Sequence, residues 1–180
     1  MTGAPLVVAL SNARASRRPF HSARATFYDA LKDADCATEV LEPFLGQRVQ
    51  EADLKGLRAL HRAVVPIVDA LIESSPAPVD ALNRLTARIA ATHRLEVAPS
   101  TGGLRAVIVP DRPSAVGSLA LVVVRELAEL DPSRLRRCER PECRLVFYDT
   151  SRSATQRWHA ESPCGLRERQ RRHRANAPRH

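Results

Sequence analysis

The chain has 180 residues, of which 44% are hydrophobic and only 4% aromatic, so its core must consist mainly of aliphatic side chains. No apolar run reaches the roughly 18 residues of a membrane span, and no basic segment precedes a long apolar stretch near residue 1, so we expect a cytoplasmic protein without a membrane partner. The net charge of +8 lies in residues 134–180, which hold 13 of the 28 basic residues, all of them arginine, and 5 of the 20 acidic residues.

The first part of the chain predicts one short strand and one interrupted helix. Residues 5–10 are apolar and β-branched, which is typical of a strand. Residues 22–46 carry apolar side chains at helical spacing, and Gly46 is a suitable C-terminal stop. The polar segment 33–35 is expected to break this helix in two.

Residues 51–74 give the clearest helical pattern, because aliphatic side chains recur there on one face of a 3.6-residue repeat. Pro66 lies inside the pattern. It is expected to kink the helix or split it, since proline lacks the backbone donor and its ring clashes with the preceding turn. A second amphipathic helix is predicted over residues 79–92.

Two strands and a third long helix complete this part of the chain. Residues 94–98 and 104–109 predict strands, and the connection 99–103, with two glycines, predicts a hairpin. Residues 113–130 predict the helix. Helices and strands do not alternate regularly, so the sequence favours an α+β fold with a helix-rich N-terminal part and a small β-sheet.

A cysteine–histidine constellation follows in the basic segment. Cys138 and Cys143 enclose four residues, and His159 and Cys164 enclose four as well. Three thiolates and one imidazole are typical ligands of Zn²⁺, which prefers four of them in a tetrahedron. Four protein ligands leave no open position, so the predicted site is structural. A redox disulfide, or three unrelated cysteines and a histidine, are the alternatives.

The residues around the ligands predict a hairpin and a helix. Pro141 favours a tight turn between the first two cysteines. Residues 145–148 predict a strand, and residues 157–159 predict the strand that returns beside it and brings His159 to the cysteines. Residues 166–174 predict an arginine-rich helix.

The segment 138–174 resembles the CGNR-type zinc finger. It carries Phe147-Tyr148-Asp149-Thr150-Ser151-Arg152, then Arg157-Trp158-His159 and Cys164-Gly165-Leu166-Arg167. His159 stands where the family usually has cysteine, which gives a Cys3His site. Leu166 stands where the family has asparagine. The resemblance implies bound Zn²⁺ and a DNA-binding role.

Residues 1–133 look like the ABATE domain that usually precedes this finger in actinobacterial proteins. The similarity lies in the order of elements, with an N-terminal strand, a long helix that starts at Asp53-Leu54, then a hairpin and an Ala/Leu-rich helix. We therefore predict two domains, 1–133 and 134–180, with the boundary at Asp131-Pro132-Ser133. The resemblance implies a stress-responsive transcriptional regulator.

The arginines of the finger are the predicted phosphate contacts on DNA, because guanidinium groups bind phosphate in a bidentate manner. The residues concerned are Arg152, Arg157, Arg167, Arg169, Arg171, Arg172 and Arg174. The N-terminal domain would then bind a small-molecule effector or form a homodimer. The alternatives are a solvated basic tail, a zinc-stabilised protein-interaction module, and an enzyme in the N-terminal domain. Residues 1–133 show no catalytic constellation, so we do not expect an enzyme.

Overall fold

A computed structural model describes residues 4–14, 29–97, 104–112 and 114–175. Helices dominate, and the strands form two small antiparallel sheets, which confirms the predicted α+β class. In chain order the elements are α1 (Leu6–Asn12), α2 (Ala34–Leu45), α3 (Leu54–Ile72), α4 (Asp80–Thr86), β1 (Ala91–Val97), β2 (Leu104–Pro110), α5 (Ala115–Glu129), β3 (Leu135–Arg137), β4 (Val146–Tyr148) and α6 (Leu166–Ala175). Short 3-10 turns lie at Glu51–Asp53 and Pro132–Arg134, and an irregular helical turn at Glu161–Gly165 precedes α6.

Helix α3 is the centre of the core and packs against α1 and α5. Its apolar stripe, including Leu57, Leu60 and Val64, is fully buried. The helix continues through Pro66, so a split at that residue was a wrong expectation. Pro66 lies on the exposed side of α3, where water can satisfy the carbonyl that proline leaves unbonded, while the buried stripe on both sides holds the helix together.

The segment predicted as a strand at residues 5–10 is part of helix α1, and that prediction was wrong. The helix is buried on nearly all sides, so its first five residues, 6–10, are all apolar and carry no helical period. Glu126 of α5 accepts hydrogen bonds from the backbone amides of Leu6 and Val7 at 3.0 and 2.9 Å. A distant carboxylate therefore supplies the partner that the first turn of a helix requires.

Helix α2 is the C-terminal half of the predicted helix 22–46. Asp33 caps its N-terminus by accepting from the amide of Cys36 at 2.8 Å, and Gly46 ends it with φ of 65°. The predicted stop at Gly46 is thus confirmed, whereas residues 29–33 are not helical and the helix begins only at Ala34, so the prediction of helix over 29–33 was wrong. The predicted residues before position 29 lie outside the described part of the chain.

The helix predicted over 79–92 is shorter than expected, because α4 ends at Thr86 and β1 begins at Ala91. Strands β1 and β2 pair antiparallel from Ala91 opposite Pro110 to Val97 opposite Leu104. Both strands were predicted, whereas the connection 99–103 lies outside the described residues. Helix α5 confirms the helix predicted over 113–130.

Strands β3 and β4 belong to the C-terminal segment but dock on the helical core. Leu135 and Val146 are buried in the same cluster as α1 and α3. Asn12 of α1 accepts from the Val146 amide at 2.9 Å and donates to its carbonyl at 2.8 Å. Arg137 also pairs with Asp69 of α3. The hydrophobic core therefore continues across residue 133, where we placed the domain boundary, and the division 1–133 and 134–180 stays a prediction.

No helix within the described residues is long and apolar enough to cross a membrane.

Candidate metal centre

Cys138 and Cys143 lie in the loop that joins β3 to β4. The Cys138 amide donates to the carbonyl of Leu145 at 2.8 Å, and the Cys143 amide donates to that of Arg140 at 2.9 Å. Arg144 has φ of 54°, a left-handed conformation that lets the chain reverse directly after the second cysteine. The tight turn predicted at Pro141 is thus present, and it points both thiols to the same side.

His159 and Cys164 come from a second loop that leads into α6. Residues 157–159 form no strand, so the predicted returning strand is wrong. The Glu139 amide donates to the carbonyl of Arg157 at 3.0 Å, which fixes this segment beside the first loop. The actual partner of β4 is β3, with Leu135 opposite Tyr148, and it comes before the first cysteine. The helix predicted over 166–174 is present as α6.

The four predicted ligands converge. Their ligand atoms, three Sγ and one imidazole nitrogen, all lie within 4.8 Å of one another. The Nδ1 atom of His159 lies 3.3 Å from Sγ of Cys143 and 3.7 Å from Sγ of Cys164. Bonds of about 2.3 Å to sulfur and 2.0 Å to nitrogen give tetrahedral edges of about 3.5–3.8 Å. The arrangement fits a metal ion and is consistent with Zn²⁺, with Nδ1 as the histidine ligand atom.

The electrostatics of the thiols also fit a cation. Burial raises the pKa of the Cys143 thiol to about 12, and the neighbouring Cys138 and Cys164 sulfurs act in the same direction. Burial likewise raises the pKa of Cys164, although its hydrogen bond with Arg140 acts against the shift. Three thiolates this close require a positive ion to balance them, and Zn²⁺ supplies it when bound. Burial lowers the pKa of His159, which favours the neutral imidazole that binds metal.

A small apolar cluster packs against the ligand residues. Phe147 and Trp158 pack against Cys138 and Cys164. Gly165 follows the last ligand, and a Cβ atom there would lie 3.0 Å from Cε3 of Trp158 and 2.6 Å from the carboxylate of Glu161. A larger residue at this position would require both the Glu161 carboxylate and the indole ring to shift, which favours glycine. The only tryptophan is therefore a packing residue of the site.

Asp149 organises the loop between the two ligand pairs. Its side chain is fully buried, and it accepts from the Ser151 amide at 2.9 Å, the Ser151 hydroxyl at 2.6 Å and the Gln156 amide at 2.8 Å. Burial alone would raise the pKa of this carboxyl, but the hydrogen bonds from Ser151 and Gln156 prevail and hold it below its ordinary value. The Nε atom of Arg136 lies 3.8 Å from Oδ2 of Asp149, so an arginine is an ion-pair partner at longer range. The aspartate is structural.

The family model of the CGNR zinc finger matches residues 134–177. This finger is a non-catalytic structural domain. No curated protein matches the chain. The match begins at the turn before β3 and includes all four ligands, both supporting aromatic residues and α6.

Four of the seven arginines predicted to contact phosphate are engaged with carboxylates of the CGNR zinc finger. Arg157 pairs with Glu139 and lies over the ring of Trp158, 5.4 Å from its centroid. The remaining pairs are Arg169 with Glu161, and Arg171 and Arg172 with Glu168. These four side chains thus have a structural role that sequence reasoning missed.

Glu168 is the least expected residue of the CGNR zinc finger, because it is an acid buried on the arginine-rich helix α6. Arg171 donates two hydrogen bonds to it, at 2.9 and 2.7 Å, and Arg172 donates one at 3.0 Å. The hydrogen bonds from Arg171 lower the pKa of Glu168 to about 2. The spacing of three and four residues on α6 was the signal in the sequence that could have revealed this cluster.

Arg152, Arg167 and Arg174, the other three predicted phosphate contacts, are exposed and form no ion pair within the described residues. Arg167, Arg171 and Arg174 line one hollow on the surface of α6, together with Gln170. The structure thus separates the arginines that bind carboxylates of the finger from those that form no ion pair within the described residues.

Proposed function

We propose that the CGNR zinc finger binds DNA and that the protein is a transcriptional regulator. Support comes from the way the finger uses its charges. The acids of residues 134–180 are all paired with arginines, namely Glu139, Glu142, Asp149, Glu161 and Glu168. The net charge of this segment is nevertheless +8, so the surplus is arginine. A surface that satisfies its own carboxylates and still presents guanidinium groups is suited to a polyanion.

The unpaired arginines carry this proposal. Arg167 and Arg174 lie two turns apart on α6, on the face that includes the surface hollow. Arg152 lies in the turn after Asp149, whose hydrogen bonds order that loop. In the proposed complex these three side chains contact phosphates, and the zinc site keeps the loop and α6 in a fixed relation.

A salt series on the zinc-loaded full-length protein tests the proposal. Fluorescence anisotropy with a labelled mixed-sequence duplex is expected to give an affinity that falls steeply with salt, because each neutralised phosphate releases counterions. The double variant Arg167→Ala/Arg174→Ala is expected to lower the magnitude of the log–log slope by about two. The matched control Arg84→Ala/Arg88→Ala loses the same charge on and just after α4 and should keep the wild-type slope.

Two results would overturn DNA binding by this face. One is the absence of binding by wild type at low salt. The other is an equal change of slope in the α6 variant and in the α4 control, which would mean that net charge alone attracts the duplex.

A zinc-stabilised protein-interaction module is the second candidate, and Leu166 favours it. This leucine is the first residue of α6, and 45% of its surface is exposed at a position where the resembled family has asparagine. A leucine side chain offers no donor or acceptor to a base or phosphate, whereas a protein partner would remove it from water. The variant Leu166→Asn separates the candidates, since stronger DNA binding would favour a nucleic-acid site and loss of a protein complex with unchanged DNA binding would favour this alternative.

We propose that residues 1–133 form the regulatory part of the protein. The ABATE-like character of residues 1–133, a stress signal, a small-molecule effector and a cytoplasmic location remain predictions from the resemblance and the composition. The helical core meets the finger through Asn12 and Asp69, so a change in α1 or α3 would reach β3 and β4 directly. Thermal-shift screening of the full-length protein against small molecules, with the Asn12→Ala variant as comparison, tests whether an effector acts through this contact.

A further inference from the structure

Strands β1 and β2 form a two-stranded sheet that no further strand extends within the described residues. Thr92, His93, Arg94 and Leu95 are consecutive and all exposed, so both faces of β1 are open there. Leu95 exposes 68% of its surface, and Ile108, which lies opposite His93 on the same face, exposes 42%. A sheet of two strands is marginal in water, and pairing with a further strand would remove part of the Leu95 side chain from water.

Among the residues that the structure describes, no strand pairs with the outer edge of β1, and this edge has a defined set of backbone groups. The backbone amide of Asp111 donates to the carbonyl of Ala90 at 2.9 Å, which makes these two residues a hydrogen-bonded pair at the end of the ladder. Hydrogen-bonded pairs alternate along an antiparallel ladder. The even-numbered residues of β1 therefore bond to β2, whereas His93, Leu95 and Val97 turn their N–H and C=O groups toward the open edge.

The charges on β1 would be complementary in an antiparallel pair of two identical β1 strands centred on Leu95. Arg94 precedes this residue and Glu96 follows it, and the two are in contact within the strand at 2.6 Å. In an antiparallel pair of identical strands centred on Leu95, Arg94 lies directly opposite Glu96 of the partner subunit, and the reverse pair forms on the other side of the axis. These positions are non-hydrogen-bonded pairs, where opposite side chains approach most closely.

We propose that β1 is a dimerisation edge, on which a second copy of this chain adds its own β1 about a twofold axis at Leu95. The pairing joins two small sheets into one of four strands. Reciprocal backbone hydrogen bonds form between the two Leu95 residues and between His93 and Val97 on each side. The Leu95 side chains meet at the axis, and the Arg94 and Glu96 charges form a network across it. This surface does not depend on the finger, so the proposal stands apart from DNA binding.

Charge reversal with a mixing step tests the register. Arg94→Glu and Glu96→Arg are each expected to weaken self-association of the zinc-loaded full-length protein by roughly tenfold or more, because like charges then lie opposite each other. An equimolar mixture of the two variants restores opposite charges at both positions and should form a heterodimer with wild-type affinity. The ion pair inside each strand remains broken in both variants, so only pairing between chains explains recovery. Sedimentation velocity gives the affinities, and native mass spectrometry identifies the heterodimer by mass.

A second variant tests the edge itself. Leu95→Pro removes an N–H that β2 does not use, so it should abolish the dimer and leave the circular dichroism spectrum unchanged. Leu95→Thr keeps the N–H and should retain backbone pairing with weaker affinity. A wild-type protein that stays monomeric at high concentration, a mixture that stays monomeric, or a dimer that survives Leu95→Pro would each overturn the proposal. A partner of different chemistry on this edge would appear as the first of these outcomes.

Discussion

Removal of zinc should unfold the two ligand loops and α6 of the CGNR finger and leave the helical core intact. The structure divides its buried side chains into two clusters, of which the finger's own contains Phe147 and Trp158 as large apolar residues. Leu135 and Val146 instead belong to the cluster of α1, α3 and α5. We therefore expect chelation to release the two ligand loops and α6, while β3 and β4 remain docked.

The magnitudes support this division. Burial of Phe147 contributes about 1.5–3 kcal/mol, and Trp158 is only partly buried. Ordering the backbone costs about 1–2 kcal/mol for every residue, and α6 together with the turn before it extends from Glu161 to Ala175. Structural zinc contributes on the order of 10–16 kcal/mol in small fingers. The metal is therefore the largest single contribution to the stability of this segment, and the apolar cluster cannot replace it.

Hydrogen exchange with and without chelator measures the division residue by residue. The amides of Cys138, Cys143 and α6 should lose protection on chelation. The Asp149 amide, which donates to the carbonyl of Arg134 at 2.8 Å, should keep it, as should α3. The variant His159→Ala should reproduce the chelated pattern, and His173→Ala, which removes an exposed histidine of α6, should not. Unchanged exchange in α6, or loss of protection throughout α3, would refute the reasoning.

Three further predictions concern the helical core. Burial lowers the pKa of His61 below 6.5, and the charge of nearby Arg14 lowers it further. As the pH decreases through 6.5, the unfolded state therefore takes up a proton before the folded state does, and the free energy of unfolding falls. In urea unfolding, His61→Gln should lose less stability over this pH range than wild type, and an equal loss would contradict this. Ser114→Ala removes the cap of α5 and should cost about 0.5–2 kcal/mol in the same assay, with no effect counting against the cap. Gly56→Ala places a Cβ 2.7 Å from a methyl group of Val116 and should destabilise by about 1–3 kcal/mol despite its better helix propensity; Gly56→Ala/Val116→Ala should be less costly than the sum of both single variants, and strict additivity would contradict the close approach.

The elements with a strong periodic signal could be predicted from the sequence. Helix α3 has one apolar face over five turns, and α5 was predicted with bounds close to those observed. The ligand set was also readable, because three cysteines and one histidine with matched spacing satisfy the needs of a tetrahedral metal. In each case the pattern lies in the residue spacing of the sequence, so it can be recognised without knowledge of tertiary contacts.

Other features depend on contacts between distant residues and carry no local signal. The first five residues of helix α1 are all apolar, and its N-terminus is capped by Glu126, more than a hundred positions away. Strand β3 has only three residues and lies beside the predicted boundary. The sequence therefore predicts residues 157–159, and not β3, as the partner of β4. Glu168 resembles an ordinary surface acid until its burial between Arg171 and Arg172 is known.

Native mass spectrometry with metal analysis is the most direct test of the central claim, that Cys138, Cys143, His159 and Cys164 form one structural zinc site. Protein purified without chelator is expected to carry one zinc ion per chain, and the ion should be lost or bound more weakly in His159→Ala but retained in the matched variant His173→Ala. Metal-free wild type, or zinc that is retained equally in His159→Ala and wild type, would contradict the account.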